Sequence, residues 1–101
     1  MELQIYRKNK KVQLPQKVNP YAIGLDIFSP DTYILHPGES ATIKSGLIIK
    51  PPKGLYIQIH IRSGISSKYQ VILLPSIGII DPDYCGEDDE IGLTLYRLPI
   101  K

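Results

Sequence analysis

The segment Gly78–Gly86 holds the residues whose types and spacing could do chemistry. It begins as an apolar strand and then turns polar, with Asp81, Pro82, Asp83 and Tyr84 in succession. Proline stiffens a turn and removes a backbone donor, so the side chains of Asp81 and Tyr84 are held in fixed directions. A carboxylate held in this way can accept a proton from a nearby water. The same residues also make an ordinary capped β-turn on a surface loop, and this segment alone leaves both interpretations open.

A second chemical group follows the most regular strand pattern in the chain. Arg62, Ser63 and Gly64 stand together, with Lys68 close behind them. Glycine lets the backbone turn its N–H groups toward one point, and arginine adds positive charge and paired donors. The combination suits an anion. A plain turn is the alternative, because most such tripeptides only reverse the chain.

Asp26 lies in an unusual setting within the predicted strand Tyr21–Ser29. Apolar residues alternate along one face of this segment, while Asp26 shares the other face with the small residues Ala22 and Gly24. Small residues leave room for a ligand or another backbone to approach. A surface strand with one exposed acid fits equally well.

The remaining titratable residues give weaker signals. His36 and His60 have no partner at metal-ligand spacing, so we interpret both as structural or solvated. The acidic run Glu87–Glu90 lacks the alternating ligand spacing of a calcium loop. We therefore expect it to be a solvated hairpin tip.

The length and charge of the chain exclude several classes of protein. A chain of 101 residues is one domain, and 43% hydrophobic residues are ample for a core. The net charge is only +2, and the one basic cluster, Arg7–Lys11, is interpreted as a solvated loop rather than a nucleic-acid surface. Cys85 is the only cysteine, which excludes an intrachain disulfide. With no apolar run of membrane-spanning length and no signal-peptide pattern, we expect a soluble, cytoplasmic protein.

Short alternating segments between proline and glycine turns predict an all-β fold of the sandwich or barrel type, without helices. The alternation is strictest over Leu55–Ile61, and we expect this strand to be central with its leucine and isoleucine face buried. The residues Lys10–Pro20 are predicted to be an irregular connection. Other strands are predicted around Leu3 and Ile5, at Tyr21–Ser29, Thr32–His36, Ala41–Lys50, Tyr69–Leu74, Gly78–Ile80 and Ile91–Leu98.

Three stretches together resemble the first three of the five motifs of the trimeric dUTPases. They are Ala22–Ile27, Arg62–Ile65 with Lys68, and Gly78–Gly86, in the family's order and at its spacings. The match covers nearly the whole chain, and the third motif is highly specific. The resemblance implies a jelly-roll-like distorted β-barrel that forms a homotrimer and hydrolyses dUTP to dUMP and pyrophosphate with Mg²⁺.

The resemblance also implies a role for each matching residue. Asp81 would be the general base that orients the attacking water, and Tyr84 would pack beneath the deoxyribose and exclude a 2′-hydroxyl. Main-chain groups around Ile79 and Ile80 would help read the uracil edge. The triphosphate would be held by Arg62, Ser63 and Gly64, and Asp26 would support the metal through water.

Two departures from the family pattern qualify this expectation. Pro75 stands where many members carry an asparagine that bonds the uracil amide, and proline cannot donate that bond. The chain also ends at Lys101, before the fourth motif and the glycine-rich C-terminal arm. We therefore expect a single dUTPase-like domain over residues 1–101, truncated at its C-terminus. The alternative is a catalytically impaired protein that binds a nucleotide or a partner on the same scaffold.

Overall fold

Seven short β-strands and one helix form the regular structure of residues 3–99, the part of the chain that the computed structural model describes. The predicted C-terminal boundary at Lys101 lies outside these residues. In chain order the elements are β1 (Gln4–Arg7), β2 (Ser40–Lys44), β3 (Leu47–Lys50), β4 (Ile57–Ile59), α1 (Ser63–Tyr69), β5 (Val71–Leu74), β6 (Gly78–Ile80) and β7 (Gly92–Arg97).

The strands pair antiparallel in three small sheets. β1 pairs with β3, β4 pairs with β6, and β7 lies between β2 and β5. In the three-stranded sheet Thr42 stands opposite Thr94, and their hydroxyl oxygens lie 2.9 Å apart. Cross-strand pairs of this kind fix the register of a sheet. No strand in residues 3–99 is parallel to its neighbour.

The main core is built from aliphatic residues that come from strands and connections alike. Val12, Leu47, Ile49, Ile80 and Ile91 form one buried cluster. Full burial of such a side chain is worth roughly 1.5–3 kcal/mol. Because Ile80 is the last residue of β6, this core holds the point where the chain leaves the strand and enters the Asp81 turn.

The predicted strand Ala41–Lys50 is two strands, separated at Ser45 and Gly46. Gly46 has a positive φ of 75°, which a glycine adopts without strain. A Cβ at this position would overlap Cγ2 of Val12, so the close approach of the Val12 side chain also requires glycine. The break sends β2 and β3 into different sheets.

Two predicted strands are absent, although the connection Lys10–Pro20 is largely irregular as expected. Within Tyr21–Ser29 the only β-pairing is an isolated bridge between Gln16 and Asp26, and Ile23 is fully exposed. Thr32–His36 also lies outside any strand. Alternation alone does not make a strand, because its backbone groups need a partner strand to pair with.

The predicted central strand Leu55–Ile61 is both shorter and more peripheral than expected. Only Ile57–Ile59 forms a strand, and β4 pairs with β6 alone in a two-stranded sheet. The predicted alternation holds within it, since Ile57 and Ile59 are half-buried against the core while Gln58 is exposed. Leu55 is 42% exposed, so the predicted burial of this face is wrong for its first residue.

The helix α1 contradicts the prediction that the chain has none. It spans seven residues from Ser63 to Tyr69, buries none of its side chains, and ends at Gln70, which has φ 55°. Because α1 includes Tyr69, the strand predicted from that residue begins instead at Val71. Across residues 3–99, no helix has the length and apolar character needed to cross a membrane.

Candidate active site

Strand β6 ends in the core at Ile80 and is followed directly by the exposed Asp81. Its residues alternate, so that Ile80 is 8% exposed and packs in the core while Ile79 is 58% exposed. The strand is held from one side by β4, with Ile57 opposite Ile80 and Gln58 opposite Ile79. Asp81 therefore follows directly on a residue that the core immobilises.

The Asp81–Tyr84 turn is closed by a backbone hydrogen bond. The Tyr84 N–H donates to the Asp81 carbonyl oxygen at 3.0 Å. Pro82 occupies the second position of this turn, where its fixed φ is favourable. The thiol of Cys85 also lies 3.5 Å from the Pro82 carbonyl oxygen. The turn predicted from the Asp-Pro-Asp sequence is confirmed.

Asp81 lies at the edge of an open cleft of about 490 Å³. The connection into β4 also lines this cleft, through residues that include Leu55 and Tyr56. The sequence did not single out Tyr56, although its place on the polar face of the Leu55–Ile61 alternation was a usable signal. Most of the lining is apolar, with one carboxylate at its edge. The lining residues are Gly54, Leu55, Tyr56, Ile79, Asp81 and Pro82.

The Tyr84 side chain is tied to the end of the following loop. It is 40% exposed, and its hydroxyl donates to the main-chain oxygen of Glu90 at 3.1 Å. The loop itself is closed where the Gly86 N–H donates to a carboxylate oxygen of Asp89 at 2.9 Å. The prediction that Glu87–Glu90 is a hairpin tip is wrong, because the strands on either side of it, β6 and β7, belong to different sheets.

Asp26 and Arg62, which the sequence assigned to separate motifs, form an ion pair. Arg62 Nη1 lies 3.4 Å from Asp26 Oδ2, with side-chain exposures of 63% and 25%. The backbone of Asp26 is fixed by two hydrogen bonds with Gln16, of 2.7 and 3.0 Å. An ion pair this exposed contributes about 0–1 kcal/mol to stability. The ion pair therefore brings the Asp26 carboxylate and the Arg62 guanidinium together but holds them only weakly.

Ser63 and Gly64 lie in the first turn of α1 and are both exposed. The structure thus places them on a short helix rather than in the plain turn that the sequence left as an alternative. A Cβ on Gly64 would meet no atom within 4 Å, so open space adjoins the helix next to Arg62. The free surface begins two residues after Arg62, and an arginine close to open surface leaves room for an anion.

The site residues of the described chain fall into two groups, one around Asp81 and one around the Asp26–Arg62 ion pair. Across residues 3–99, neither a hydrogen bond nor an ion pair joins Asp81 to Asp26 or Arg62. The same part of the chain contains no cluster of three or more acidic, histidine or cysteine residues able to hold a metal ion. A single carboxylate such as Asp26 fits the way Mg²⁺ is often held, through its waters and the phosphates of a substrate.

Comparison with known proteins identifies the family of the chain. The dUTPase family model matches residues 10–97. Deoxyuridine 5′-triphosphate nucleotidohydrolase of Trichodesmium erythraeum is 38% identical over 95 residues, and that of fowlpox virus is 33% identical over 96. These matches cover 94% and 95% of this chain but 65% and 63% of the relatives. The chain thus spans just under two thirds of the length of each relative.

Solved structures agree on the fold. A variant of the dUTPase from Staphylococcus aureus phage phi11, solved to describe the coordination of a structural Mg(II) ion, superposes with a TM-score of 0.85 at 31% identity. That match covers 99% of this chain and 62% of the phage protein. The dUTPase of Staphylococcus bacteriophage 80alpha with dUpNHpp superposes at 0.80 with 33% identity, over 93% and 53% of the two chains. The predicted dUTPase-like, mostly β fold is confirmed, and the chain belongs to the dUTPase family.

Proposed function

We propose that this chain forms a dUTP diphosphatase site that hydrolyses dUTP to dUMP and pyrophosphate with Mg²⁺. The observation that carries the proposal is the position of Asp81. It stands on a rigid turn directly after the core residue Ile80 and at the edge of an apolar cleft, in a chain of the dUTPase family. A water-activating carboxylate needs this kind of fixed placement.

Asp81 acts as the general base. Its carboxylate accepts a proton from the attacking water as the water's oxygen approaches a phosphorus atom of the substrate and pyrophosphate leaves on the opposite side. The closed Asp81–Tyr84 turn supports this role, because it limits the movement of the carboxylate before the reaction. The exposure of Asp81 leaves it accessible to water.

The nucleoside is recognised by β6 and by Tyr84. Within residues 3–99, β6 has a strand partner on one side only, which leaves main-chain groups near Ile79 and Ile80 free to pair with a uracil edge. The half-exposed Tyr84 ring packs beneath the deoxyribose. Pro75 supplies no N–H, so selectivity for uracil rests on these backbone groups.

The phosphates are held by Arg62 together with Ser63 and Gly64 on the free surface of α1. Arg62 exchanges its weak contact with Asp26 for the stronger, charge-assisted contact with phosphate oxygens. Asp26 is then free to accept hydrogen bonds from metal-bound waters. When bound, Mg²⁺ supplies neutralisation of the phosphate charge.

The complete site requires more than one chain, and we propose a homotrimer. Two features support shared sites. Within residues 3–99 no hydrogen bond or ion pair joins Asp81 to the Asp26–Arg62 pair, and several large apolar side chains are exposed in the single chain. An association between chains buries such side chains. The most exposed of them are Tyr21, Ile23, Ile34 and Val18.

The single free cysteine, Cys85, suits a cytoplasmic location.

The direct test is to incubate the protein with dUTP and Mg²⁺ and to measure dUMP by chromatography. Asp81→Asn keeps the size of the side chain and removes the base, so we expect turnover to fall by about a hundred- to ten-thousandfold while dUTP binding persists. Asp83→Asn removes the same charge two residues away and is the matched control, with turnover unchanged. Binding of dUTP by the parent protein without any turnover would identify the alternative, a catalytically impaired nucleotide-binding protein.

A further inference from the structure

Glu90 occupies a position that the acidic run around it does not explain. Its side chain is only 17% exposed, and one carboxylate oxygen accepts a hydrogen bond from the Gly46 N–H at 2.6 Å. The other carboxylate oxygen lies 3.5 Å from Nζ of Lys8. The main-chain oxygen of the same residue accepts the Tyr84 hydroxyl at 3.1 Å. One residue thus joins the β2–β3 break to the aromatic side chain of the candidate site.

The next residue makes this connection rigid. Ile91 is 1% exposed, and its N–H donates to the Leu47 carbonyl oxygen at 2.9 Å. Its own carbonyl oxygen accepts from the Ser45 N–H at 3.0 Å and from the Ser45 hydroxyl at 2.6 Å. We call Glu90 and Ile91, with the Ser45–Leu47 segment that holds them, the 90–91 anchor. The bonds made by the Ser45 hydroxyl are buried and the bond from Gly46 to Glu90 is part-buried, and such bonds are costly to break.

We propose that Glu90 is a positioning residue for Tyr84. Through its bond to Gly46, the Glu90 side chain holds its own main-chain oxygen in place, and that oxygen holds the Tyr84 hydroxyl and thereby the tilt of the ring. The proposal rests on the proposed function, in which the ring packs beneath the deoxyribose. It deepens that function, because the preference for deoxyribose over ribose then depends on a residue that does not line the cleft.

The distances indicate which contact of Glu90 matters. Gly46 is buried, and its bond to the carboxylate is short and charge-assisted. Lys8 is 43% exposed on its side chain and lies at 3.5 Å, in the range where ion pairs contribute little. A side chain that can still accept from the Gly46 N–H should therefore preserve the tilt of the Tyr84 ring, whether or not it is charged.

The position of the Tyr84 ring matters for sugar selection, because deoxyribose and ribose differ by only one hydroxyl and the difference in binding free energy is small. An apolar surface by itself rejects an added hydroxyl by only about a hundredfold. A ring that can tilt away makes room for the 2′-hydroxyl and lowers this ratio. Loss of the support of one hydrogen bond corresponds to roughly a fivefold to tenfold change in an equilibrium.

The test measures the ratio of the affinities for non-hydrolysable imido analogues of dUTP and UTP, by calorimetry with Mg²⁺. We expect Glu90→Ala to lower the deoxyribose preference by about fivefold to tenfold. Glu90→Gln and the control Lys8→Met should leave the ratio within about twofold. Tyr84→Phe, which lacks the hydroxyl, should match Glu90→Ala, and the double variant should be no worse than either single one.

A purely structural role for Glu90 predicts a different result. Glu90→Ala would then lower the melting temperature and weaken both nucleotides equally, with an unchanged ratio, and this outcome overturns the proposal. If Glu90→Ala does not fold, Glu90→Asp replaces it. Aspartate keeps the charge but withdraws the carboxylate from Gly46 by one methylene, so it too should lower the ratio.

A second measurement separates this proposal from the proposed function. The aromatic ring signals of Tyr84 are followed by NMR in ¹³C-tyrosine-labelled protein without nucleotide, with Tyr84→Phe used to assign them. We expect the signals to shift in Glu90→Ala and to stay in Glu90→Gln. Absence of nucleotide binding by the parent protein would refute the proposed function alone. Unmoved Tyr84 signals in Glu90→Ala would refute the positioning role.

Discussion

The 90–91 anchor and the cleft beside Asp81 are built in opposite ways. In the anchor, Ser45, Leu47 and Ile91 are at most 1% exposed, and the Ser45 hydroxyl is both a donor and an acceptor. In the cleft, Tyr56 and Ile79 are 55% and 58% exposed, although both are largely apolar. The difference shows that the residues that support the site are buried, whereas the apolar residues that line the cleft stay exposed.

Strand β6 shows how closely the two environments adjoin. Its side chains alternate across the β4–β6 sheet, so successive residues face the core and the cleft. Ile80 belongs to the same buried cluster as Ile91, and Ile79 lines the cleft. A three-residue strand is therefore enough to fix Asp81 to the core on one face and to offer an open surface on the other.

The largest effect should come from comparing two neighbouring isoleucines. Ile80→Ala removes a core side chain and should lower the free energy of unfolding by about 2–5 kcal/mol. Ile79→Ala removes the same atoms from a side chain that is 58% exposed and should cost less than about 1 kcal/mol. Urea denaturation of both variants measures the difference. Equal losses would show that the core and cleft faces of β6 are not distinct.

The next effect tests the turn of the anchor. Gly46→Ala places a methyl group against the buried Val12 side chain at a positive φ, so we expect a loss of about 2–4 kcal/mol. Gly54→Ala is the matched control, since its φ is also positive but its Cβ would meet no atom within 4 Å. Thermal or urea unfolding gives both values. If the two substitutions cost the same, backbone strain rather than packing dominates at Gly46.

A smaller effect is expected from the buried hydroxyl. Ser45→Ala leaves the Leu47 N–H without its acceptor and should cost about 1–3 kcal/mol. Ser29 also donates its hydroxyl to a main-chain oxygen, that of Asp31, but on the exposed surface. Ser29→Ala should therefore change stability by less than about 0.5 kcal/mol. A comparable loss at both positions would contradict the idea that burial makes the Ser45 bond valuable.

The smallest effect on stability is expected at the site. Arg62→Ala breaks only an exposed ion pair, so the free energy of unfolding should change by less than about 1 kcal/mol. Under the proposed function, the affinity of this variant for dUTP should nevertheless fall by about tenfold or more, because the proposed charge-assisted contact with phosphate is lost. Lys10→Ala, with the same change of charge on an exposed loop, is the control for both measurements. Unchanged dUTP affinity in Arg62→Ala would remove Arg62 from the phosphate site.

Short stretches of sequence were sufficient for the local features around Asp81. The apolar run into Ile80 predicted β6, and the Asp-Pro-Asp turn followed from the chemistry of proline and aspartate. The motif order also predicted the family, which the comparisons confirm. These features depend on residues close together in the chain, where steric limits and side-chain type decide the outcome.

Pairing between distant residues was beyond that kind of prediction. Tyr21–Ser29 alternates as well as β4 does, yet it gains one isolated bridge while Ile57–Ile59 finds a partner in β6. The sequence also predicted no helix at α1, because weakly helical residues follow Arg62 without a long apolar period. Whether such segments become strand, helix or loop depends on what packs beside them, which the local pattern does not contain.

Two contacts illustrate what the tertiary structure alone decided. The sequence placed Asp26 and Arg62 in separate motifs, whereas the fold joins them in an ion pair between the segment of the Gln16–Asp26 bridge and the residue that precedes α1. It placed Glu90 in a solvated acidic run, whereas the fold directs that carboxylate to the buried N–H of Gly46. A charged side chain is expected at the surface unless it finds a hydrogen-bonding or oppositely charged partner in the interior. Only the folded chain brings such a partner to it.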